Sequence, residues 1–198
     1  MLNELFKTYP MLKTCKTEIE VALNLIINTY KNGGKILVCG NGGSASDSEH
    51  IVGELMKGFM LKRKVIDERI PEYLATNLQG ALPAISLVSQ VGVLSAFIND
   101  VDPDMMYAQL VYGYGKDGDL LICLSTSGNS ANCVKAADVA KRIGVRVLSL
   151  TGQKESKLSE ISDCTIQVPE TETFKVQEYH LPVYHYLCAA VEKHFFDK

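Results

Sequence analysis

The sequence lacks the patterns that mark several large classes of protein. None of its apolar runs approaches the roughly 20 residues needed to cross a bilayer, and its start, MLNELFKTYP, has no long apolar core of a secretion signal. Its basic residues form no blocks and do not alternate with aromatic residues, and the net charge is only −3. These absences argue against a membrane or nucleic-acid partner. They favour a soluble, cytoplasmic protein that binds a small polar ligand.

The cysteines show no C-x-x-C pair of the kind found in metal and redox centres. Cys39 and Cys123 lie inside apolar runs, and the others are scattered singly along the chain. We therefore expect buried, reduced thiols at all six positions. These are Cys15, Cys39, Cys123, Cys133, Cys164 and Cys188.

What the sequence does contain points to an α/β domain. The 198 residues, 46% apolar and 22% charged, can form one globular domain with a full core. Apolar residues at helical spacing predict a long opening helix over residues 2–31, within an N-terminal segment 1–33 that ends at the KNGGK turn. Five later runs are apolar throughout, as in strands covered on both faces. They are KILVC, LPAISLV, DLLICLS, VRVLSL and CTIQV.

Helical stretches between these runs predict a three-layer α/β/α sandwich with a five-stranded parallel sheet. The predicted helices span 46–57, 91–99, 105–112, 129–143 and 174–196. Pro182 predicts a kink in the last of them. The polar stretch LKRKVIDERIPEYLATNLQG, around residues 62–80, interrupts the pattern and is interpreted as a loop inserted into a single domain over 1–198.

Two polar segments rich in glycine and serine follow the first and third predicted strands. GNGGSASD begins at Gly40, and STSGNS spans 125–130. Open parallel sheets bind ligands where strands end and helices begin, and glycine N–H groups, hydroxyls and a helix N-terminus suit a phosphate. Neither segment matches G-x-x-x-x-G-K-[ST] or G-x-G-x-x-G, so the main sequence evidence for binding of a nucleoside triphosphate or a dinucleotide is missing. The alternative is that Ser127 and Ser130 only cap a helix while the glycines only turn the chain.

His50 and Glu54 lie four residues apart on the helix predicted after the first of these segments, so their side chains share a face. Such a pair can bind a metal or relay a proton, although H-x-x-x-E is common and is often only a helix-stabilising contact. The pair begins one to two turns past the proposed phosphate segment, at about 5.4 Å a turn, within reach of the far carbons of a sugar phosphate.

The stretch KVQEYHLPVYHYL supplies further candidates from the last predicted helix. On a regular helix Gln177 and His185 are about 80° apart around the axis, whereas His180 and His185 are about 140° apart. Gln177 and His185 can therefore face one cleft, although a kink at Pro182 would change these angles.

The segments CGNGGSASDSEH, STSGNSAN and QEYHLPVYH together resemble the sugar isomerase (SIS) domain family, and within it the phosphoheptose isomerases. The resemblance covers nearly the whole chain. It implies a flavodoxin-like or Rossmann-like sandwich, a homotetramer with sites at subunit interfaces, and a cytoplasmic role in heptose biosynthesis. The implied activity is that of a ketose/aldose phosphate isomerase, which converts sedoheptulose 7-phosphate to D-glycero-D-manno-heptose 7-phosphate through an enediolate.

The resemblance also implies roles for single residues. It assigns a zinc ion to His50, Glu54, Gln177 and His185, with Glu54 as the base at carbon and His185 as its acid/base partner. Zinc suits two imidazoles, a carboxylate and an amide oxygen because it can polarise a sugar carbonyl. No nucleotide cofactor is expected. The residues assigned to the sugar phosphate are Asn41, Gly42, Gly43, Ser44, Asn99, Asp100, Ser125, Thr126, Ser127, Ser130 and Gln177.

Some of these positions have simpler interpretations. Asn99 and Asp100 could form a helix-ending Asx turn instead of touching sugar hydroxyls. His180 is expected to make a supporting hydrogen bond or to pack at an interface, and His194 to pack or to lie at the surface.

The chain departs from the family at two places. Its segment 62–80 is longer, and the ND at residues 99–100 is followed by VDPDMMY instead of a glycine and an aromatic residue, so the choice of sugar phosphate stays open. Two other functions remain. A non-catalytic phosphosugar sensor or DnaA-associating adaptor is disfavoured by the presence of both Glu54 and His185. A lyase that cleaves sugar-acid ethers on a similar fold would need an acidic signature that we do not find.

Overall fold

A five-stranded parallel sheet in the order β2-β1-β3-β4-β5 forms the centre of the computed structural model, which describes residues 1–197. The strands are β1 (Ile36–Gly40), β2 (Ala84–Ser86), β3 (Leu120–Leu124), β4 (Arg146–Thr151) and β5 (Cys164–Gln167). Every neighbouring pair is parallel, and Ile36 of β1 lies opposite Ala84 on one side and Leu120 on the other. The predicted five-stranded parallel sheet is confirmed.

Helices cover both faces of this sheet. They are α1 (Leu2–Thr8), α2 (Lys16–Lys31), α3 (Gly43–Met56), α4 (Glu72–Ala75), α5 (Val91–Asp100), α6 (Met106–Tyr114), α7 (Ala131–Arg142), α8 (Lys157–Ile161) and α9 (Thr173–Phe196). Of these, α2, α3 and α9 contribute to one core, while α6 and α7 contribute to the other. The sheet therefore lies between two helical layers.

The uninterrupted apolar character of the strands follows from these two cores. On β3, Leu120 and Ile122 belong to the core that contains α9, whereas Leu121 and Cys123 belong to the core that contains α7. Successive side chains of a strand point to opposite faces, so a strand covered on both sides needs an apolar residue at every position. All six cysteines are buried and free, as predicted.

The opening segment differs from the single helix predicted over residues 2–31. A 3-10 helix, Pro10–Cys15, separates α1 from α2, and Tyr9 before it has φ −124° and ψ 74°, outside the helical region. Proline has no N–H to donate and disfavours helical geometry in the preceding residue. The prediction of one uninterrupted helix is therefore wrong at Pro10. By contrast, α9 runs through Pro182 as a single helix.

The inserted segment 62–80 is closed at its base and exposed beyond it. Gly80 N–H donates to the carbonyl of Arg63 over 2.8 Å, and the Arg63 side chain is buried. Between them lies what we call the loop 64–79, which holds α4 and reaches 95% exposure at Ile66. Over the described residues 1–197, no helix is both long enough and apolar enough for a membrane crossing.

Candidate functional site

The candidate site lies at the carboxyl ends of β1 and β3. These strands are adjacent in the sheet although β2 lies between them in the chain, and β2 pairs on the other side of β1. From β1 the chain continues to β2 on one side of the sheet, and from β3 it continues to β4 on the other side. Open α/β sheets bind ligands in the crevice at such a switch point. Both segments that the sequence analysis assigns to a phosphate begin here.

The segment after β1 has a backbone that requires glycine at two positions. Gly42 has φ 55° and is the N-cap of α3, and a Cβ on Gly40 would lie 2.5 Å from the Ser44 carbonyl oxygen. The turn brings the chain directly into α3 at Gly43, with Ser44 buried in its first turn. The partial positive charge of this helix N-terminus therefore faces the switch point, as an anion site requires.

The segment after β3 places serine hydroxyls beside the first segment. Ser125 is buried, and its Oγ lies 3.0 Å from Ser130 Oγ. Ser130 occupies the N-cap of α7, but its side chain makes no capping hydrogen bond. Ser127 Oγ accepts from Asn129 N–H over 3.2 Å and so shapes the turn. Capping alone therefore does not account for Ser130. The backbone of the segment is held in place at Thr126, whose carbonyl accepts from Gly152 N–H over 3.0 Å.

A pair of amide side chains joins the first segment to the start of α7, which directly follows the second segment. Asn41 Nδ2 donates to Asn132 Oδ1 and Asn132 Nδ2 donates to Asn41 Oδ1, each over 2.9 Å. Asn41 was predicted to belong to the site, but Asn132 was not. Reciprocal amide hydrogen bonds fix both side-chain orientations, so the two segments are held at one separation.

His50, Glu54 and His185 meet on the facing sides of α3 and α9. His50 Nε2 lies 3.2 Å from Glu54 Oε1 and 3.4 Å from His185 Nε2. The second oxygen of Glu54 lies 3.4 Å from the ammonium of Lys57, which is exposed. Burial, and then the neighbouring His50, lower the pKa of His185 below its usual value. A neutral imidazole can accept a proton, and one that faces a carboxylate is well placed to exchange protons with it.

Two residues that the sequence analysis missed orient His50. Tyr184 Oη donates to Asp47 Oδ1 over 3.1 Å and lies 3.1 Å from His50 Nδ1. With its proton given to Asp47, the hydroxyl can accept from His50 Nδ1–H, which leaves the lone pair of Nε2 towards Glu54 and His185. Burial raises the pKa of Asp47, and burial together with Asp47 raises the pKa of Tyr184. Asp47 has a sequence signal, three residues before His50, whereas Tyr184 has none.

The other predicted residues take separate places. Gln177 lies against the first segment, because a Cβ on Gly43 would come within 2.6 Å of its Nε2. At the end of α5, Asn99 Nδ2 donates to Asp100 Oδ1 over 2.8 Å, and no side-chain hydrogen bond within residues 1–197 joins either of them to the two segments.

The remaining histidines lie outside the His50 cluster. His180 is fully buried with Nε2 3.3 Å from the Thr151 carbonyl, and burial lowers its pKa to about 4. His194 is exposed and contacts Phe195 edge to face. His194 therefore lies at the surface, as one of its two predicted positions, whereas the supporting or interface role of His180 stays a prediction.

The donor atoms around His50 have the chemical character of a zinc site. Adjacent ligands on a tetrahedral ion with bonds of 2.0–2.1 Å lie about 3.3 Å apart, close to the 3.2 and 3.4 Å measured around His50 Nε2. Even so, in the described part of the chain no three His, Cys, Asp or Glu side chains already have the full geometry of a metal site. The two imidazoles, the carboxylate and the amide are residue types that suit zinc, and zinc at this place stays a prediction.

The sequence and the fold match known proteins along most of their length. A family model described as "SIS domain" matches residues 7–152. The chain therefore belongs to the SIS domain family. It is 40% identical over 177 residues to a phosphoheptose isomerase of Helicobacter pylori, covering 89% of this chain and 84% of that protein. Within the SIS domains, it belongs to the phosphoheptose isomerase family.

Solved structures agree with this assignment. A phosphoheptose isomerase from Francisella tularensis superposes with a TM-score of 0.77 at 26% identity, covering 97% of this chain and 98% of that one. The phosphoheptose isomerase of Neisseria gonorrhoeae gives 0.73 at 28% identity, covering 96% and 98%. The similarity includes the opening helices and α9, not only the sheet.

Proposed function

We propose that this protein is an isomerase that converts sedoheptulose 7-phosphate to D-glycero-D-manno-heptose 7-phosphate in the cytoplasm. The observation that carries the proposal is the meeting of Glu54 and His185 at His50, beside two segments suited to a phosphate. The names of the relatives support the same substrate. A sensor or adaptor would have no use for a base and an acid/base partner at this place.

The length of α3 supports a long sugar phosphate. Ser44 and Glu54 are ten residues apart on α3, about 15 Å along the axis at 1.5 Å a residue. A phosphate near Ser44 therefore requires a substrate whose reacting carbons are far from its phosphate. A heptose 7-phosphate, with its reaction at carbons 1 and 2, meets this requirement better than a triose phosphate does.

The reaction is a pair of proton transfers. The Glu54 carboxylate takes a proton from carbon 1 of the open ketose, which gives the enediolate. The neutral His185 takes the proton of the carbon 1 hydroxyl and passes it to the oxygen on carbon 2. Glu54 then delivers its proton to carbon 2, the carbonyl forms at carbon 1, and the product is the aldose. Both side chains end in their starting states, and no redox partner is needed.

We propose zinc as the cofactor, held by His50, Glu54, Gln177 and His185. When bound, the ion would supply a Lewis acid for the sugar oxygens. The Asp47–Tyr184 pair would keep His50 Nε2 unprotonated for this purpose, as partners behind metal-binding histidines commonly do. Gln177, beside Gly43, would connect the ion site with the phosphate segments.

We further propose a homotetramer with sites at subunit interfaces. The helix α5 has the sequence VGVLSAFIND, yet none of its residues is buried, and Val91 is 72% exposed. A helix with so many apolar residues at the surface is typical of one that packs against another subunit. Residues 99–100 end this helix, so assembly could bring them to a neighbouring site.

The experiment is isotope exchange at the carbon next to the carbonyl. The metal-replete protein is incubated in deuterated water with sedoheptulose 7-phosphate, and with fructose 6-phosphate and ribulose 5-phosphate for comparison, with and without a chelator. We expect exchange and aldose formation with the heptulose phosphate, and loss of both with the chelator. Absence of exchange with every ketose phosphate would favour a binding protein. Exchange that the chelator does not affect would overturn only the proposed role of zinc and would leave the proposed isomerase activity standing.

A further inference from the structure

Arg63 and Glu192 form a buried ion pair that does not contact the reacting groups. Arg63 Nε donates to Glu192 Oε1 over 2.7 Å, and neither side chain is exposed. The carboxylate also accepts from the backbone N–H groups of residues 59–61, at 2.7–3.1 Å. Burial alone would raise the pKa of Glu192, but these N–H groups and the guanidinium together lower it. The charged pair is therefore fully hydrogen-bonded and held in one arrangement.

The same guanidinium closes the carboxyl end of α3. Its Nη1 donates to the Leu55 carbonyl over 2.6 Å, and its Nη2 donates to the Glu54 carbonyl over 2.8 Å. The last carbonyls of a helix have no partner within the helix, and they carry the negative end of its dipole. The last turn of α3 has no basic residue of its own. Arg63 therefore supplies two hydrogen bonds and a buried positive charge, and the Leu82 N–H adds a further hydrogen bond to the Leu55 carbonyl over 3.0 Å.

These contacts fix the peptide of Glu54 itself. Its backbone carbonyl is bound by Arg63, while its side chain lies beside His50. At the other end of the ion pair, Glu192 is seven residues from His185 on α9, about 10 Å along the axis. One side chain thus joins the end of α3 that carries Glu54 to the helix that carries His185.

We propose that Arg63 is a positioning residue for the isomerisation: it holds Glu54 in register with His185 by tying α3 to α9. This inference rests on the proposed function. It also gives the base of the insertion a role separate from that of the loop 64–79. The ends of the insertion, Arg63 and Gly80, help to hold the helices that carry the site. The loop 64–79 between them makes no such contribution.

The test is Arg63→Lys. Lysine keeps the charge beside Glu192, but a single ammonium cannot reproduce the planar fork that reaches Glu192 and both carbonyls of α3. We expect kcat to fall about tenfold or more, because the catalytic carboxylate of Glu54 is displaced. KM for sedoheptulose 7-phosphate should change by less than about twofold. Amide exchange in the last turn of α3 should rise by about tenfold, because the Glu54 carbonyl loses its partner and the Leu55 carbonyl keeps only the Leu82 N–H.

A matched control lies in the same insertion. Arg69 also pairs with a carboxylate, donating from Nε and Nη2 to Asp67 over 2.9 and 2.6 Å, but it is largely exposed. Arg69→Lys should leave kcat, KM and the exchange of α3 unchanged. A similar loss in both variants would show that the insertion as a whole, and not Arg63, controls the site.

A second variant separates positioning from stability. Arg63→Met combined with Glu192→Gln removes both buried charges and leaves an acceptor for the N–H groups of residues 59–61, so it should fold. We expect it to lose kcat as Arg63→Lys does. Wild-type kcat in either folded variant would overturn the proposal.

The exchange measurement also tests the inference without any variant. In the wild-type protein, amides in the last turn of α3 should exchange as slowly as those in its middle, and rapid exchange there would contradict the proposal. If the wild-type protein turned over no ketose phosphate, the proposed function would fail. The exchange rates in wild-type protein and in Arg63→Lys would still decide whether Arg63 fixes this helix.

Discussion

The hydroxyl of Tyr184 lies 3.1 Å from Nδ1 of His50, whereas the other ring nitrogen, Nε2, faces Glu54. This contact crosses from α9 to α3, and because the same hydroxyl donates its proton to Asp47, its oxygen can accept a hydrogen bond from His50 Nδ1–H. Tyr184 thereby acts on the candidate zinc site without being one of its proposed ligands.

Tyr184→Phe is expected to weaken zinc binding by about 10- to 100-fold, the usual effect of removing a hydrogen bond behind a metal-binding histidine. Competition with a chromophoric chelator measures the affinity directly. Tyr186→Phe, two residues further along α9, is the matched control and should bind zinc as the wild-type protein does. Equal affinity in all three proteins would contradict the role assigned to Tyr184.

Glu54→Gln should abolish turnover, because an amide cannot take a proton from carbon. Binding of the sugar phosphate should remain measurable by calorimetry, since the phosphate is expected to lie near Ser44 and Ser125. Isotope exchange in deuterated water is the more sensitive measurement, because it detects proton removal even without net conversion. Exchange at the wild-type rate would show that Glu54 is not the base.

Asn132→Ala should raise KM for the sugar phosphate more than it lowers kcat, because the variant frees the two phosphate segments from each other. A double-mutant cycle with Asn41→Ala tests the pair itself. We expect a coupling of about 1 kcal/mol, as for a neutral hydrogen-bonded pair. Strictly additive effects on KM would mean that the two asparagines act independently.

The burial of His180 predicts a loss of stability in mild acid. Burial lowers its pKa in the folded protein to about 4, against about 6.5 in an unfolded chain. The unfolded state therefore binds more protons between these values, and stability is full above about pH 6.5 and falls as the pH decreases towards 4. The difference amounts to about 3 kcal/mol at the end of this window.

Urea unfolding between pH 7 and pH 4.5, with a chelator present to remove metal effects, measures this dependence. His180→Phe is the comparison, because it removes the titrating group while keeping a ring of similar size. We expect its stability to fall less steeply over the window than that of the wild-type protein. Parallel pH profiles would show that His180 does not contribute.

The sequence predicts the central strands well because β1, β3 and β4 are covered on both faces, so each of them is a continuous apolar run that can be recognised locally. The pair His50 and Glu54 can be predicted for a similar reason, since residues four apart on a helix lie on the same face. Tyr184 and Asn132 cannot be predicted in this way. Their contacts depend on how α9 packs against α3 and on how α7 follows β3, which no local spacing reports.

Arg63 illustrates a different limit of sequence reasoning. It lies in a polar stretch, where an arginine is normally at the surface, yet Glu192, which buries it, is 129 residues away along the chain. The break at Pro10, by contrast, had a local signal. Proline within a helical pattern disfavours helical geometry in the residue before it, and the apolar periodicity on both sides concealed this.

The separations within the site have a consequence for how the protein is made. Asn41 and Asn132 are 91 residues apart, and His50 and His185 are 135 apart. A chain emerging from the ribosome therefore cannot complete the site until α9 is synthesised and docked, so the sugar phosphate and the proposed zinc ion cannot use the complete site during the early steps of folding. A ligand that binds the native state more tightly than the unfolded chain would then shift the folding equilibrium towards the native state by mass action.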